Sequence, residues 1–348
     1  MTELLETVYE KFTLPEIIRF YQEKQSGKMT TSRRLGILPI TDQRSLEFFN
    51  KQLANFWVAS EADFKLDHVY YEKLPANEKS FLKKLLAIFA FQDGSVIEAL
   101  VMRFMLEAPT TEGKLFYIAQ SLMEAIHAVS YATQIQEITV NEEERQEMIL
   151  AVDELPYLKL KADLNDKYTY GNMPLSHRQV AYGAVEGIGF SSLFGAIFSF
   201  KNRSPYMPLD GIFFSNEKIS ADENIHRSFA VEQVKDALAS GDITPPEVLE
   251  IVQEFVEVEE VACQNILPED IATLITQKQL LDYVHYVANK FLKDLGLPLH
   301  WSIGLENPLP YMELIGLSKQ ANFFERRVGE YVIGTEIKND GDFFGENF

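Results

Sequence analysis

Glu124-Ala-Ile-His127 and Glu223-Asn-Ile-His226 are two copies of one short pattern, each set in an apolar stretch with helical periodicity. A Glu and a His three positions apart leave the same face of a helix, separated by roughly 4.5 Å along its axis. From there, a carboxylate oxygen and an imidazole nitrogen can reach one metal ion together. A single Glu-x-x-His is commonly a solvated pair on an amphipathic helix, so the weight lies in the doubling and in what precedes each copy.

Each copy is preceded by an acid in apolar surroundings. Asp93 ends the run Leu85-Leu-Ala-Ile-Phe-Ala-Phe-Gln-Asp93, and Glu186 stands in Val185-Glu186-Gly-Ile-Gly-Phe190-Ser-Ser-Leu-Phe194. Asp93 precedes Glu124 by 31 positions, and Glu186 precedes Glu223 by 37. Burying such acids unpaired is costly, yet neither 89–96 nor 181–195 contains a Lys or Arg. Salt bridges within these windows therefore cannot neutralise them, whereas bound cations can. Four carboxylates and two imidazoles on four helices make the dimetal site of a ferritin-like bundle. The expected fold is all-α, a ferritin-like helical bundle with a dimetal carboxylate site in its core. A donor set without thiolate suits iron or manganese and argues against an iron–sulfur or structural zinc centre.

Candidate helices run over 46–57, 76–106, 111–138, 141–155, 177–200, 216–240, 245–266 and 269–295, separated by Pro, Gly and Asn signals. Strand-like alternation is scarce, and no repeat of 20–50 residues is visible beyond the doubled metal pattern. The chain divides into an N-terminal arm (1–45), a helical catalytic domain (46–328) and a flexible C-terminal tail (329–348). Its 348 residues are 46% hydrophobic and 12% aromatic, enough for a large core. A net charge of −20 without a basic cluster excludes nucleic acid as a direct partner. Cys263 is the sole cysteine, so there is no disulfide framework. No apolar run approaching the roughly 20 residues of a membrane span is expected. Glu3 and Glu6 stand where a secretory leader carries basic residues. The expected setting is the cytoplasm, without a membrane.

Tyr131 lies four residues after His127 and seven after Glu124, which stacks all three along one helix face. A phenol so placed could give up an electron and a proton to an oxidised metal pair. It could equally be one of fifteen tyrosines serving as core. Phe190, Phe194 and Ile219 fall at spacings that face the same pocket. Trp57, after Phe56, reads most simply as a packing anchor. Asp222, beside Glu223, reads as a partner that orients a ligand imidazole.

The stretches Val185–Phe194, Phe214-Ser-Asn-Glu-Lys-Ile-Ser-Ala-Asp-Glu223-Asn-Ile-His226 and Asn322-Phe-Phe-Glu-Arg-Arg-Val-Gly-Glu-Tyr331 resemble the small, radical-generating subunit of class I ribonucleotide reductase, in its eukaryotic and viral branch. The resemblance runs from Asn55-Phe-Trp57 to the last residue. It implies that Asp93, Glu124 and His127 hold one metal ion and Glu186, Glu223 and His226 the other. The ions would be two irons, with manganese as the other candidate. It further implies that the centre activates dioxygen and makes Tyr131 a stable radical. The oxidising equivalent would then pass through Trp57 and Asp222, and through Tyr331 in the tail, to a separate large subunit that reduces ribonucleotides to deoxyribonucleotides. A homodimer is implied as well. The chain itself has no phosphate-cradling Gly-rich loop and lacks the several cysteines that nucleotide reduction needs.

After Tyr331 the sequence is polar, acidic and Gly-punctuated, yet it carries Phe343, Phe344 and Phe348, which suits a docking peptide that orders on a partner. A loose terminus with incidental aromatics is the plainer alternative. The interval from Glu186 to Glu223 is about three residues longer than the family pattern, an extension placed in the loop 201–210 that a surface connection tolerates. Two other readings remain. A non-reductase dimetal oxidase would share the six ligands but have no use for an aromatic, acidic tail. A ferritin-like storage protein would need neither Tyr131 nor Trp57.

Overall fold

The computed structural model describes residues 37–139, 141–153, 155–204, 206–267 and 274–313; the side chains at 93–95, 98, 102 and 151–153 lie outside that description. Among the described residues every regular element is helical. Helix α1 (Gln43–Ala54) begins where the Asp42 carboxylate accepts from Ser45 N at 2.9 Å. After the short α2 (Asp67–Tyr71), the long α3 (Ala76–Ala99) continues through a π turn at Leu100–Phe104. Thr110 caps α4 (Thr111–Ile138) by accepting from Gly113 N. Then come α5 (Glu142–Asp153), α6 (Pro156–Tyr170) and α7 (Leu175–Ala184); a second π turn, Val185–Gly189, leads from α7 into α8 (Ser191–Ser199). Helix α9 (Asp210–Ser240) spans 31 residues and stops at Gly241, whose φ of 78° is a left-handed end that glycine adopts without strain. Capping boxes at Thr244 and Thr276 start α10 (Pro245–Ile266) and α11 (Gln277–Asp294).

The bundle core is two helix pairs: α4 packs along α3, and α9 along α7 and the π turn that follows it. Side chains from both pairs fill the space between. Phe116 of α4 and Phe229 of α9 stack with centroids 3.9 Å apart, and Phe89 of α3 stacks on Tyr131 of α4 at 4.8 Å. Helix α1 lies against α4 and α9, and α10 and α11 cover α7 and α8.

Three departures from the sequence reading stand out. Helix α1 stops at Ala54 rather than 57, so Trp57 reaches the core from a loop. Helix α9 starts six residues earlier than expected, because the buried Asp67 carboxylate accepts from Gly211 N and Ile212 N at 3.1 and 2.8 Å. That cap comes from about 144 residues upstream, so no local signal announces it. Helix α6 was not expected at all: its buried face is interrupted by Lys161 and its sequence is rich in Lys, Asp and Asn. The expected helix at 269–295 is described from Gln277 onward, and 268–273 fall outside the described residues.

The expectation about apolar runs also needs correction. The segment Leu175–Asn202 is long and apolar enough to cross a membrane, with a window of mean hydropathy 1.4. Yet 89% of that window is buried inside the protein, so its apolar character belongs to the core of the bundle.

Candidate dimetal centre

Three helical segments deliver the described side chains of the site. Glu124, His127 and Tyr131 rise along α4; Asp222, Glu223 and His226 follow one another on α9; and Glu186 projects from the π turn after α7. Asp93 belongs to α3, but its side chain is outside the described residues, as is Tyr331 altogether.

Donor atoms of Glu124, Glu186, Glu223 and His226 all lie within 4.8 Å of one another, and all four residues are buried. His226 Nδ1 is 3.0 Å from Glu124 Oε1 and 3.3 Å from Glu223 Oε2, with Glu186 Oε2 at 3.8 Å. His127 Nδ1 is 3.1 Å from Glu124 Oε2 and 3.2 Å from Glu223 Oε1. Glu124 and Glu223 thus stand between the two imidazoles, where each can serve two ions. Among the described residues no Lys or Arg pairs with these three glutamates; Glu186 Oε1 instead accepts from Gln120 Nε2 at 3.0 Å, and the same amide reaches Tyr182 Oη.

The electrostatics are those of a site waiting for positive charge. Burial, reinforced by Glu223 and Glu124, holds the Glu186 carboxyl well above the usual carboxylate range. Burial would raise Glu223 too, but hydrogen bonds from Glu186, His127 and His226 pull it well below. Burial opposes charging of the two imidazoles, yet Glu124 and its neighbours raise both well above an ordinary histidine. Raised proton affinity at Glu186 and at both imidazoles marks a cluster of buried carboxylates short of positive charge. Glu124 Oε1, Glu186 Oε2, Glu223 Oε1 and His226 Nε2 are buried with no hydrogen-bond partner. The close approach of Glu124 Oε1 to His226 Nδ1 lacks hydrogen-bond direction. Orphaned buried polar atoms on several residues of one cluster, all oxygen or imidazole nitrogen, fit hard or borderline divalent cations. Cys263, on α10, is not among them.

Around this cluster the structure brings together most of the remaining candidate residues. Tyr131 is fully buried; its hydroxyl donates to Asn216 Oδ1 at 3.4 Å, and Asn216 Nδ2 donates in turn to Gln134 Oε1 and Ile212 O. Phe89 stacks on Tyr131, Phe190 and Phe194 pack in turn on Phe89, and Ile219 is buried as well. Phe89 was missed by sequence reasoning, although it lies four residues before Asp93, at helical spacing. Trp57 is also fully buried. Its indole Nε1 donates to Asp222 Oδ2 at 2.8 Å, and the same oxygen lies 3.0 Å from His127 Nε2. Gln52 and Asn55 donate to the other oxygen, Oδ1, at 2.8 and 2.6 Å. Neither amide was singled out from sequence, since nothing local marks an amide that reaches a carboxylate about 170 residues away.

The family described as ribonucleotide reductase, small chain, matches residues 34–308. The chain belongs to this family. The small chain of ribonucleoside-diphosphate reductase from Plasmodium falciparum is 35% identical over 320 residues, covering 90% of this chain and 89% of the relative. The human subunit M2 of the same enzyme is 37% identical over 309 residues, covering 86% and 75%. The Rnr4 homodimer of Saccharomyces cerevisiae shares the fold with a TM-score of 0.71, covering 92% of this chain and 99% of that one at 24% identity. The ribonucleotide reductase small chain described here is thus a subunit of an oxidoreductase, built on a ferritin-like bundle with a buried carboxylate and imidazole cluster.

Proposed function

We infer that this small chain generates and exports a tyrosyl radical. Asp93, Glu124 and His127 hold one metal ion, and Glu186, Glu223 and His226 hold a second. Two iron ions bound there supply, with dioxygen, the oxidant strong enough to take an electron from a phenol. The protein's own residues do the rest. Asn216 fixes the direction of the Tyr131 hydroxyl, and Phe89, backed by Phe190 and Phe194, covers a face of the ring against water and reductants.

The observation that carries this reading is the hydrogen-bonded run from His127 through Asp222 to Trp57, with links of 3.0 and 2.8 Å. A site that only stored metal, or oxidised a substrate within its own pocket, has no need of it. Asp222 holds the indole N–H and can accept its proton when the ring loses an electron. Gln52 and Asn55 keep that carboxylate oriented by occupying its other oxygen. Outside the described residues, Tyr331 and the aromatic, acidic tail complete the route and dock a large subunit that reduces ribonucleotides. A homodimer in a reducing cytoplasm is the working form.

The test is a reductase assay with a large subunit of the family and a ribonucleoside diphosphate. Trp57→Phe and truncation after Val328 are each expected to abolish deoxyribonucleotide formation while metal content stays at the wild-type level. Full turnover by the truncated protein would instead favour a self-contained dimetal oxidase.

A further inference from the structure

Glu186 sits on a π turn, where the backbone carries one residue more per turn than an α-helix. Closing that turn to α geometry would rotate one flank by about 100° against the other and swing the carboxylate off the site. The turn is tied from outside. Lys161 Nζ of α6 donates to the carbonyl of Gly189, the last residue of the turn, at 3.0 Å, and Ser191 Oγ donates to the carbonyl of Ile188 at 2.7 Å. Lys161 is also ion-paired with Glu259 of α10. The other oxygen of Glu259 accepts from Ser192 Oγ at 2.7 Å, in the first turn of α8. The pair therefore grips the chain at Gly189 and again three residues on. On the far side Gly187 lies flat against Arg227, where an added Cβ would come within 2.6 Å of Arg227 Cδ. Arg227 is itself anchored to Asp294 at 2.5 Å.

The Lys161 and Glu259 side chains are only 5% and 2% exposed. A buried ion pair seldom adds net stability, because desolvating both charges offsets their attraction, and apolar residues of like volume often serve as well. What apolar residues cannot do is donate to a particular carbonyl and hold a particular hydroxyl.

We propose that Lys161 and Glu259 are positioning residues: their ion pair locks the π turn in the register that keeps Glu186 aimed at the second metal position. This rests on the dimetal reading above. The lock acts through backbone, at the carbonyl of Gly189, and not through the Glu186 side chain.

The experiment is a cobalt(II) titration of metal-free protein followed by visible absorption, with a thermal melt of each metal-free sample. The wild type is expected to take up two ions per chain. In Lys161→Met/Glu259→Leu, which leaves no buried charge unpaired, one of the two ions should bind about tenfold or more weakly, with an altered ligand-field spectrum and an unchanged melt. Ser192→Ala removes only a hydroxyl and should weaken the same ion in the same direction. Lys161→Arg, which keeps the cation and its donors, should restore wild-type affinity. Wild-type affinity and spectrum for both ions in the double variant, or in Ser192→Ala should the double variant not fold, would overturn the proposal. Failure of the wild type to take up cobalt would overturn the dimetal reading itself.

Discussion

Glu186 is a carboxyl group placed beside Glu124 and Glu223 where water is excluded, and it responds by holding its proton to unusually high pH. The two imidazoles do the same under the pull of Glu124. A divalent cation must displace those protons. The sign follows directly: groups whose affinity for protons is raised compete better with metal as pH falls, so metal affinity rises with pH. Binding of manganese(II) or cobalt(II) at pH 7 should release protons, and the apparent affinity should gain about tenfold per pH unit for each proton released. A pH-stat titration checks this; metal uptake without proton release would mean that the cluster is already fully deprotonated. The two Glu and His pairs of the cluster were legible in sequence because a helix turns three-residue spacing into proximity. Gln120, Gln52, Asn55 and Asn216 were not, since each reaches its partner across helices and an amide carries no pattern of its own.

At the scale of elements, helix lengths and boundaries were readable wherever caps and periodicity are local. Helices α4 and α10 span the expected 111–138 and 245–266. Legibility failed where a long-range contact overrode the local signal. Asp67 sets the start of α9, and the Lys161 to Glu259 pair recruits a charged segment into the core as α6. The π turn at Val185–Gly189 was invisible as such, although its Gly-rich sequence was quoted for other reasons. The Asp67 cap also makes Gly211 a tight point: a Cβ there would lie 2.5 Å from a Phe64 ring carbon and 2.8 Å from the Asp63 carbonyl. Gly211→Ala should therefore destabilise the protein by about 1–3 kcal/mol, read as a lower Tm, because neither the ring nor the backbone can retreat without disturbing the cap. An unchanged melt would show that the start of α9 is looser than its two backbone bonds suggest.

For the whole molecule, the centre links folding to metal. The bundle gathers several carboxylates that protons alone satisfy poorly, so an ion that binds only the folded chain adds to its stability. Manganese(II) at about a hundred times its dissociation constant should add roughly 2.7 kcal/mol for each ion bound, and a chelator should remove it. Calorimetry checks this, and a Tm indifferent to metal would deny the ions a place in the core. The overall fold class was legible from the doubled motif because four ligand helices leave few architectures open. How α1 brings Gln52 and the loop after it brings Asn55 and Trp57 against α9 was not, since only the folded bundle juxtaposes them.

The central claim, that the buried phenol beside this cluster is the radical the chain makes, is tested most directly by electron paramagnetic resonance. Metal-free protein would be reloaded with ferrous iron, exposed to air, and compared with a Tyr131→Phe variant at equal iron content. The account predicts a tyrosyl signal in the unsubstituted protein and none in the variant, with both samples binding the same iron. The same organic signal in both, or iron oxidised with no organic radical in either, would contradict it.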